Sequence, residues 1–537
     1  MTVRRGEWND SLSGDYLWSN ANVGEAVPDV MTPCTWSLIR LWVADAIPFA
    51  GLPYGPHPGV GNIGGRFYMN LSLAASAAAA FGIAPRRFAA MTEQFYGRIP
   101  VGLQIPLVRL PRGRLLAGAA AIAARAGLSA LTRRRRLRRF LPGAPARMWA
   151  LRAQIAAAAA PAELAGLWQA QVAPLLHEAA TVGAGAGALS RPRRRLRALA
   201  GDQDADILLT AEDGRARLAS LGPLVGLTEL AAGATGQAAF LHRYGHRGPH
   251  ELEVSMPRPA EDPGWAGGQL ADLRRAAADA SALLARQEKL RAQAWDRLRR
   301  RDPGKEAAAR RLAGRWAAAA REREAVRSEV ARVFWVMRSF VQRAGALTGH
   351  GDDLFFLPVP EILAVLAGDR APLAHIAEQK AAYRRYQALP PYPALIRGRF
   401  DPLAWAADPH RRSDLFDAST VNPAPASNAV SGQPGSPGVA QGRAQVIATI
   451  GEAAQLEPGD ILVTPVTNIG WTPLFPRLAA IVTDVGAPLS HAAIIARELG
   501  IPAVIGCGNA TTLLHTGDIL RVDGGRGTVQ IVGKPQP

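Results

Sequence analysis

Ala479-Ala-Ile-Val-Thr483-Asp-Val-Gly486-Ala-Pro488-Leu-Ser490-His491-Ala-Ala-Ile-Ile-Ala-Arg497-Glu-Leu-Gly500-Ile-Pro502-Ala-Val504 is the segment from which the rest of the chain can be read. Its first five residues are apolar and partly β-branched, the pattern of a short buried strand. Gly486, Ala487 and Pro488 then make a tight turn of small residues. Ser490 stands at an N-cap position, Ala492 to Leu499 reads as a helix, and Gly500 and Pro502 stop it. His491 therefore falls in the first helical turn, beside backbone N–H groups that lack helical partners and at the positive end of the helix dipole. Such a place suits a histidine that carries a phosphoryl group, because the N–H groups can hold phosphate oxygens. Neutral imidazole is also a competent nucleophile near pH 7. For an isolated histidine the plainer reading would be a helix cap in a core.

At 537 residues the chain has room for about two to four domains. A hydrophobic content of 48% and a mean hydropathy near zero fit a globular protein. The net charge of +18 raises the question of nucleic acid. Yet the bases are almost all arginine, the lysines being Lys289, Lys305, Lys380 and Lys534, and with so much Ala, Gly and Pro this skew resembles a composition bias. The runs Arg133–Arg136 and Arg193–Arg195 read as solvated helix faces or as an interface for an acidic partner. The balance is against nucleic acid. Cys34 and Cys507 provide neither metal-ligand spacing nor a disulfide framework, which points to a reducing compartment. The first ten residues have no apolar signal region, and the Ala/Ser-rich run from Leu71 to Ala84 is too short to span a bilayer. The expectation is a cytoplasmic protein with no membrane contact and no metal site.

The segment from Gly486 to Val504 closely resembles the phosphohistidine signature of the PEP-utilising enzymes, which include pyruvate phosphate dikinase, PEP synthase and rifampin phosphotransferase. In that family the histidine shuttles phosphate on a swivelling domain, and the resemblance gives that role to His491. Gly486, Ser490, Arg497 and Thr483 would support the phosphate loop around it. Ala487 replaces a usual second glycine, and Leu489 stands where the dikinases have Thr.

Further upstream, the segment Asn20-Ala-Asn22-Val-Gly24-Glu25-Ala-Val-Pro28 through Thr32-Pro33-Cys-Thr-Trp36 is similar to the start of the central domain in rifampin-phosphotransferase-like proteins. Gly64-Gly65-Arg66-Phe-Tyr68 is similar to its next landmark. The resemblance makes Asn20, Asn22, Glu25 and Arg66 candidates for lining a substrate pocket. From Leu71 to Leu389 the pattern is largely helical. Gln269–Arg301 and Lys305–Ala346 read as an antiparallel helical hairpin broken at Asp302-Pro303-Gly304. Arg243-Tyr-Gly245-His246-Arg247-Gly248-Pro249-His250-Glu251 interrupts the helices with dense polar chemistry and resembles the family's Gly-x-Arg-Gly-Pro-x-Glu loop. A buried Arg–Glu network is one reading of it. In the other, Arg247 binds phosphate, and His246 or Glu251 orients or deprotonates an acceptor hydroxyl.

The expected organisation is a polar leader over 1–17 and a mainly helical acceptor-binding domain over 18–422. A Pro/Gly/Ser-rich hinge over 423–436 then leads to a small swivelling β/α phosphohistidine domain over 437–534. The fold class is thus multidomain, α followed by α/β. No phosphate-binding loop with lysine is present in the sequence. ATP and Mg²⁺ are accordingly expected on a separate ATP-grasp, or PEP/pyruvate-binding, partner subunit, with a small hydroxyl-bearing molecule as acceptor. The resemblance implies a phosphotransferase subunit; a non-catalytic phosphohistidine carrier or regulatory scaffold is the alternative.

Overall fold

The computed structural model describes residues 8–21, 23–46, 57–100, 102–110, 112–183, 190–210, 218–275, 280–409, 411–419, 429–488 and 490–534. Its axis is the helix Pro303–Thr348, which runs beside Ala280–Arg301 after a break at Asp302, as the hairpin spacing predicts. The two halves of this long helix serve different cores. Ala309, Ala313, Trp316 and Ala317 pack with Leu196, Leu221 and Leu298. Val333, Phe334, Met337 and Phe340 pack with Leu151, Trp168 and Leu175. Between them, from Glu324 to Val341, charged and apolar side chains are buried on almost every face, which marks a helix enclosed by other elements rather than lying on a surface.

Two sheets complete the architecture. The first is five-stranded, in the order β2-β3-β1-β4-β5, and joins sequence ends that lie far apart: β1 (Leu17–Ser19), β2 (Val60–Ile63), β3 (Arg66–Asn70), β4 (Leu395–Arg397) and β5 (Leu415–Asp417). The sequence reading placed no strand in these stretches, because strands of three to five residues carry too little alternation to be seen. The polar leader expected over 1–17 is corrected over 8–17, residues 1–7 lying outside the described residues. Residues 10–13 form a 3₁₀ turn, Asn9 bridges to Ile63, and Tyr16 and Leu17 are buried. Asn9 Nδ2 donates to the Phe400 carbonyl at 2.8 Å, tying this segment to the far end of the helical domain.

The second sheet has eight strands in the order β6-β13-β12-β8-β9-β10-β11-β7. β8 (Val439–Val446), β9 (Ile461–Thr464), β10 (Ala480–Thr483) and β11 (Ala503–Ile505) are parallel neighbours. β12 (Ile519–Asp523) and β13 (Thr528–Gly533) pair antiparallel beside them. Here the expected hinge is corrected in part. β6 (Ala429–Ser431) and β7 (Gln433–Ser436) are edge strands of this sheet, so the C-terminal domain begins at least as early as 429. Pro434 is compatible with that place because an edge strand can lack a ladder donor. Residues 423–428 of the expected hinge lie outside the described residues. The fold class stands: a large, mainly helical domain followed by a small α/β domain. No helix among the described residues is long and apolar enough to cross a membrane.

The two domains share one apolar cluster. Trp471, Leu474, Phe475, Ile494 and Ile495 of the C-terminal domain pack with Leu221, Phe240, Trp265 and Ala317 of the helical one. The fold also contains a close approach that can be tested. A Cβ on Gly345, within the long helix, would lie 2.0 Å from the Gly351 carbonyl oxygen. Helix propensity alone favours alanine there by about 1 kcal/mol. Overpacking against backbone should win, and Gly345→Ala is expected to lose about 1–3 kcal/mol in urea denaturation; a gain in stability would show that this packing is wrong.

Candidate active site

The strand–turn–helix around His491 forms as its sequence indicates. The helix runs His491–Leu499, and Ser490 caps it by accepting from the Ala493 N–H at 3.3 Å. Gly500 ends it with φ of 68°, the left-handed cap that glycine adopts without strain. Thr483 Oγ1 donates to the Val485 carbonyl at 2.8 Å and shapes the turn before Gly486. Arg497 is buried and donates to the Gly435 and Pro488 carbonyls at 2.6 and 3.3 Å, bracing the same turn from behind. Its Nη2 is spent on backbone within its own domain, while Nε is buried without a hydrogen-bond partner.

His491 does not face solvent. It is 4% exposed, pressed against the helical domain. The backbone N–H of His491, expected to be open to a phosphate, donates instead to Glu25 Oε2 at 2.9 Å. A carboxylate from the other domain thus takes the anion seat at the helix N-terminus. The ring sits beside Phe475, and Nε2 lies 3.1 Å from Thr472 Oγ1. Burial, with Arg327, Arg247 and Arg323 nearby, pushes the imidazole down to about 3 against the pull of Glu324. It is therefore neutral at physiological pH, the form a nucleophile needs. Burial raises Glu25 to about 7, opposed by the His491 N–H, Arg327, Arg323 and the Ser490 hydroxyl. Glu324 goes the other way: burial pushes it up, but Arg323, Arg327 and Arg247 bring it down to about 2.

Arg323, Glu324 and Arg327 escaped the sequence reading. They sit on the long helix where charged residues ordinarily face water, and a buried Glu324 in an arginine-rich segment has no local signature. A sequence signal did exist in part. Buried Glu324, Ser328 and Arg332 follow a four-residue period, so one polar stripe runs along a face of the helix at the depth of its core.

The expected loop contributes as a brace and a donor. Arg247 Nε donates to Glu251 Oε2 at 2.7 Å with both side chains buried, and Arg327 Nε lies 3.8 Å from Glu251 Oε1. Glu251 is therefore fully engaged by guanidinium groups, and the Arg–Glu network read as one alternative is present. Arg247 Nη1 and Arg327 Nη2 are buried without a hydrogen-bond partner, two charged donors available to an anion. His246 is buried with Nε2 at 2.9 Å from Ser328 Oγ, and burial with Arg332, Arg247 and Arg258 nearby lowers its basicity far below the ordinary value. Glu253 ties this loop to the segment that follows Glu25, accepting from the Thr32 N–H at 3.1 Å and the Thr32 hydroxyl at 2.9 Å.

Of the three described residues among those expected in a substrate pocket, Glu25 reaches His491. Asn20 and Arg66 line a separate cavity, and Asn22 lies outside the described residues. A larger cavity, of about 800 Å³, is bordered by Arg243, Gln287, Ser328, Arg332 and, from the His491 helix, Glu498. Single polar contacts join the domains around the shared apolar cluster. Asn468 Nδ2 donates to the Pro249 carbonyl at 3.1 Å, Gln287 Nε2 to the Arg497 carbonyl at 2.9 Å, and Ser413 Oγ to Asp484 Oδ2 at 2.9 Å. Asn468 thus caps its own turn and holds the Arg-Gly-Pro loop.

Burial also raises Asp484 to about 7, with Thr511 and Ser413 opposing and Asp414 adding to the rise. For both acids the docked state holds its proton more tightly than an opened one would. Their contribution to docking is thus complete below the ordinary carboxylate range and declines as pH rises towards about 7. Donor–acceptor dyes placed on the two domains should report progressive opening between about pH 4.5 and about 7. Glu25→Gln should flatten part of that slope; an unchanged slope would remove Glu25 from the linkage.

Residues 456–527 match the mobile domain of PEP-utilising enzymes, and residues 148–327 match the fourth domain of rifampicin phosphotransferase. A rifampicin phosphotransferase of Streptomyces sviceus is 32% identical over 308 residues, 55% of this chain and 34% of that protein. The prodigiosin-synthesizing transferase of Serratia marcescens is 31% identical over 302 residues, 55% of this chain and 33% of its own length. A phosphoenolpyruvate synthase of Aeropyrum pernix is 54% identical over 101 residues, 19% of this chain and 12% of that enzyme. The chain matches about a third of the length of the rifampicin phosphotransferase from Streptomyces sviceus. It carries a PEP-utilising mobile domain beside a rifampicin phosphotransferase fourth domain, and its likeness is to phosphotransferases of that type.

Proposed function

We propose that this chain is the acceptor-binding and phosphohistidine part of an ATP-dependent phosphotransferase. A separate ATP-grasp subunit, which would hold ATP and Mg²⁺, loads a phosphoryl group onto His491. The mobile domain then docks as described and hands that group to a hydroxyl on a small molecule. The observation that carries the reading is the position of His491: buried and neutral, at a helix N-terminus, and enclosed by Glu25 and the Arg247–Arg323–Glu324–Arg327 cluster of the other domain.

In the transfer step the N–P bond to His491 breaks and an O–P bond to the acceptor forms. The acceptor's hydroxyl proton passes to the Glu25 carboxylate, whose affinity near neutrality suits a general base, and a proton is returned to the ring nitrogen that loses phosphorus, so that His491 leaves as neutral imidazole. Arg247 and Arg327 bring unpartnered N–H groups to the charge on the transferring group. Glu324, ionised, keeps the guanidinium groups in place.

Intact mass at neutral or alkaline pH tests the carrier, since phosphohistidine is acid-labile. Protein purified with its native partners should gain one phosphoryl group on addition of ATP, and His491→Ala should gain none. Retained transfer to an acceptor by His491→Ala would end the proposal. Glu25→Gln should still load His491 but transfer to the acceptor roughly 10²-fold more slowly, the scale of a lost general base; equal loss of both steps would instead make Glu25 a docking residue alone.

A further inference from the structure

The smaller cavity, of about 410 Å³, lies at the junction of the two domains and is not used by the transfer chemistry. One side comes from the helical domain: Asn20, Arg66, Phe67, Tyr392, Trp405 and Arg411. The other side, including Val446, Ala448, Pro465, Val485 and Thr512, belongs to the mobile domain. Among the described residues that line this cavity, the ionisable side chains besides Tyr392 are the two arginines, and none is a carboxylate.

Arg66 is built in rather than loosely placed. It is 9% exposed, its guanidinium lies 4.1 Å over the Tyr392 ring, and Nη2 donates to the Leu389 carbonyl at 3.3 Å. Nη1 is buried with no hydrogen-bond partner. A buried charged donor without an acceptor is costly, and an anionic ligand would satisfy it. Arg411, with its guanidinium 5.9 Å from the Trp405 ring centroid, adds a second positive charge on the same wall. Phe67, Tyr392 and Trp405, themselves largely buried, add aromatic carbon to a wall that also holds Val27, Val446 and Val485, and the prolines around them keep it rigid.

We propose that this cavity binds a small anion, carboxylate, sulfonate or phosphate, borne on a flat apolar ring system, and that the bound molecule holds the mobile domain in its docked position. The second half follows from the composition of the wall. A ligand that touches both domains binds the docked state better than the open one, and so shifts the population towards docking by that difference. The proposal does not depend on the phosphotransfer reading, because it uses none of its residues.

The probes are 8-anilinonaphthalene-1-sulfonate and N-phenyl-1-naphthylamine, which share a ring system and differ by the sulfonate. The full chain should bind the sulfonate at one site, and Arg66→Gln should weaken it about tenfold or more while leaving the neutral probe unchanged. Arg66→Lys, which keeps the charge, should retain part of the affinity and serves as the folding control. Ala448→Trp, which fills the cavity from the mobile-domain side, should abolish sulfonate binding. Saturating sulfonate should also slow amide exchange at Gly470 and His491, residues of the docked interface. Equal affinity for the two probes, or sulfonate binding indifferent to both Arg66→Gln and Ala448→Trp, overturns the site; unchanged amide exchange in the bound protein overturns the coupling.

Discussion

A carboxylate and a backbone N–H from opposite domains set the conditions for everything else in this molecule. Glu25 accepts from the His491 N–H at the helix N-terminus, the place where an oxygen of a phosphoryl group would otherwise be held. A carboxylate and a phosphoryl group compete for one seat, and together they repel. Burial raises Glu25 to about 7, so near neutrality a large share of the docked molecules carry it protonated. A neutral carboxyl group can still accept from the N–H through its carbonyl oxygen while presenting a hydrogen to a nearby phosphate. In the proposed function the protonated form lets the helix end meet a loaded histidine without expelling Glu25, the ionised form takes the acceptor's proton, and the arginines on the long helix take up the remaining charge.

The local chemistry of His491 was legible because every rule acted within a few residues. The strand before it, the Ser490 cap and the Gly500 stop all follow from neighbours in sequence. The helical hairpin was legible for the same reason, its apolar period running for several turns on each side of Asp302. What escaped were elements defined by partners far away. β1 is three residues long and exists because β3 and β4 flank it, the latter nearly four hundred residues later. β6 and β7 read as linker because Gly, Pro and Ser dominate them, yet β13 and β11 give them ladders to join.

The site divides in the same way. The Arg247–Glu251 pair was visible as a dense polar loop, but its sense was open, because one sequence supports both a brace and a catalytic pair. Geometry separates the two functions inside a single side chain: Nε of Arg247 holds Glu251, while Nη1 is left for something else. Arg323, Glu324 and Arg327 were invisible since an arginine-rich helix surface is the ordinary expectation. The chain's charge misled in the same direction. Much of its arginine is not surface at all; Arg247, Arg258, Arg332, Arg338 and Arg497 are buried, each holding carboxylates or backbone carbonyls. Arginine suits that work better than lysine, because its planar fork satisfies two acceptors at once and its charge survives burial.

The interface itself has the character of one made to open. Its centre is apolar, where Trp471 and Phe475 meet Leu221 and Phe240, and that area gives adhesion without fixing direction. Direction comes from a few separate contacts: Glu25 at the His491 N–H, Asn468 at the Pro249 carbonyl, Gln287 at the Arg497 carbonyl and Ser413 at Asp484. None of these is a paired ion bridge. Each contributes about 1 kcal/mol, somewhat more where a charge takes part, and water can replace each one when the domain leaves. A ring of strong buried ion pairs would have made separation expensive in desolvation and rebinding slow to find its register. Modest directional bonds around an apolar centre instead let the same face be left and regained. If His491 is loaded in one place and unloaded in another, as proposed, it needs that reversibility.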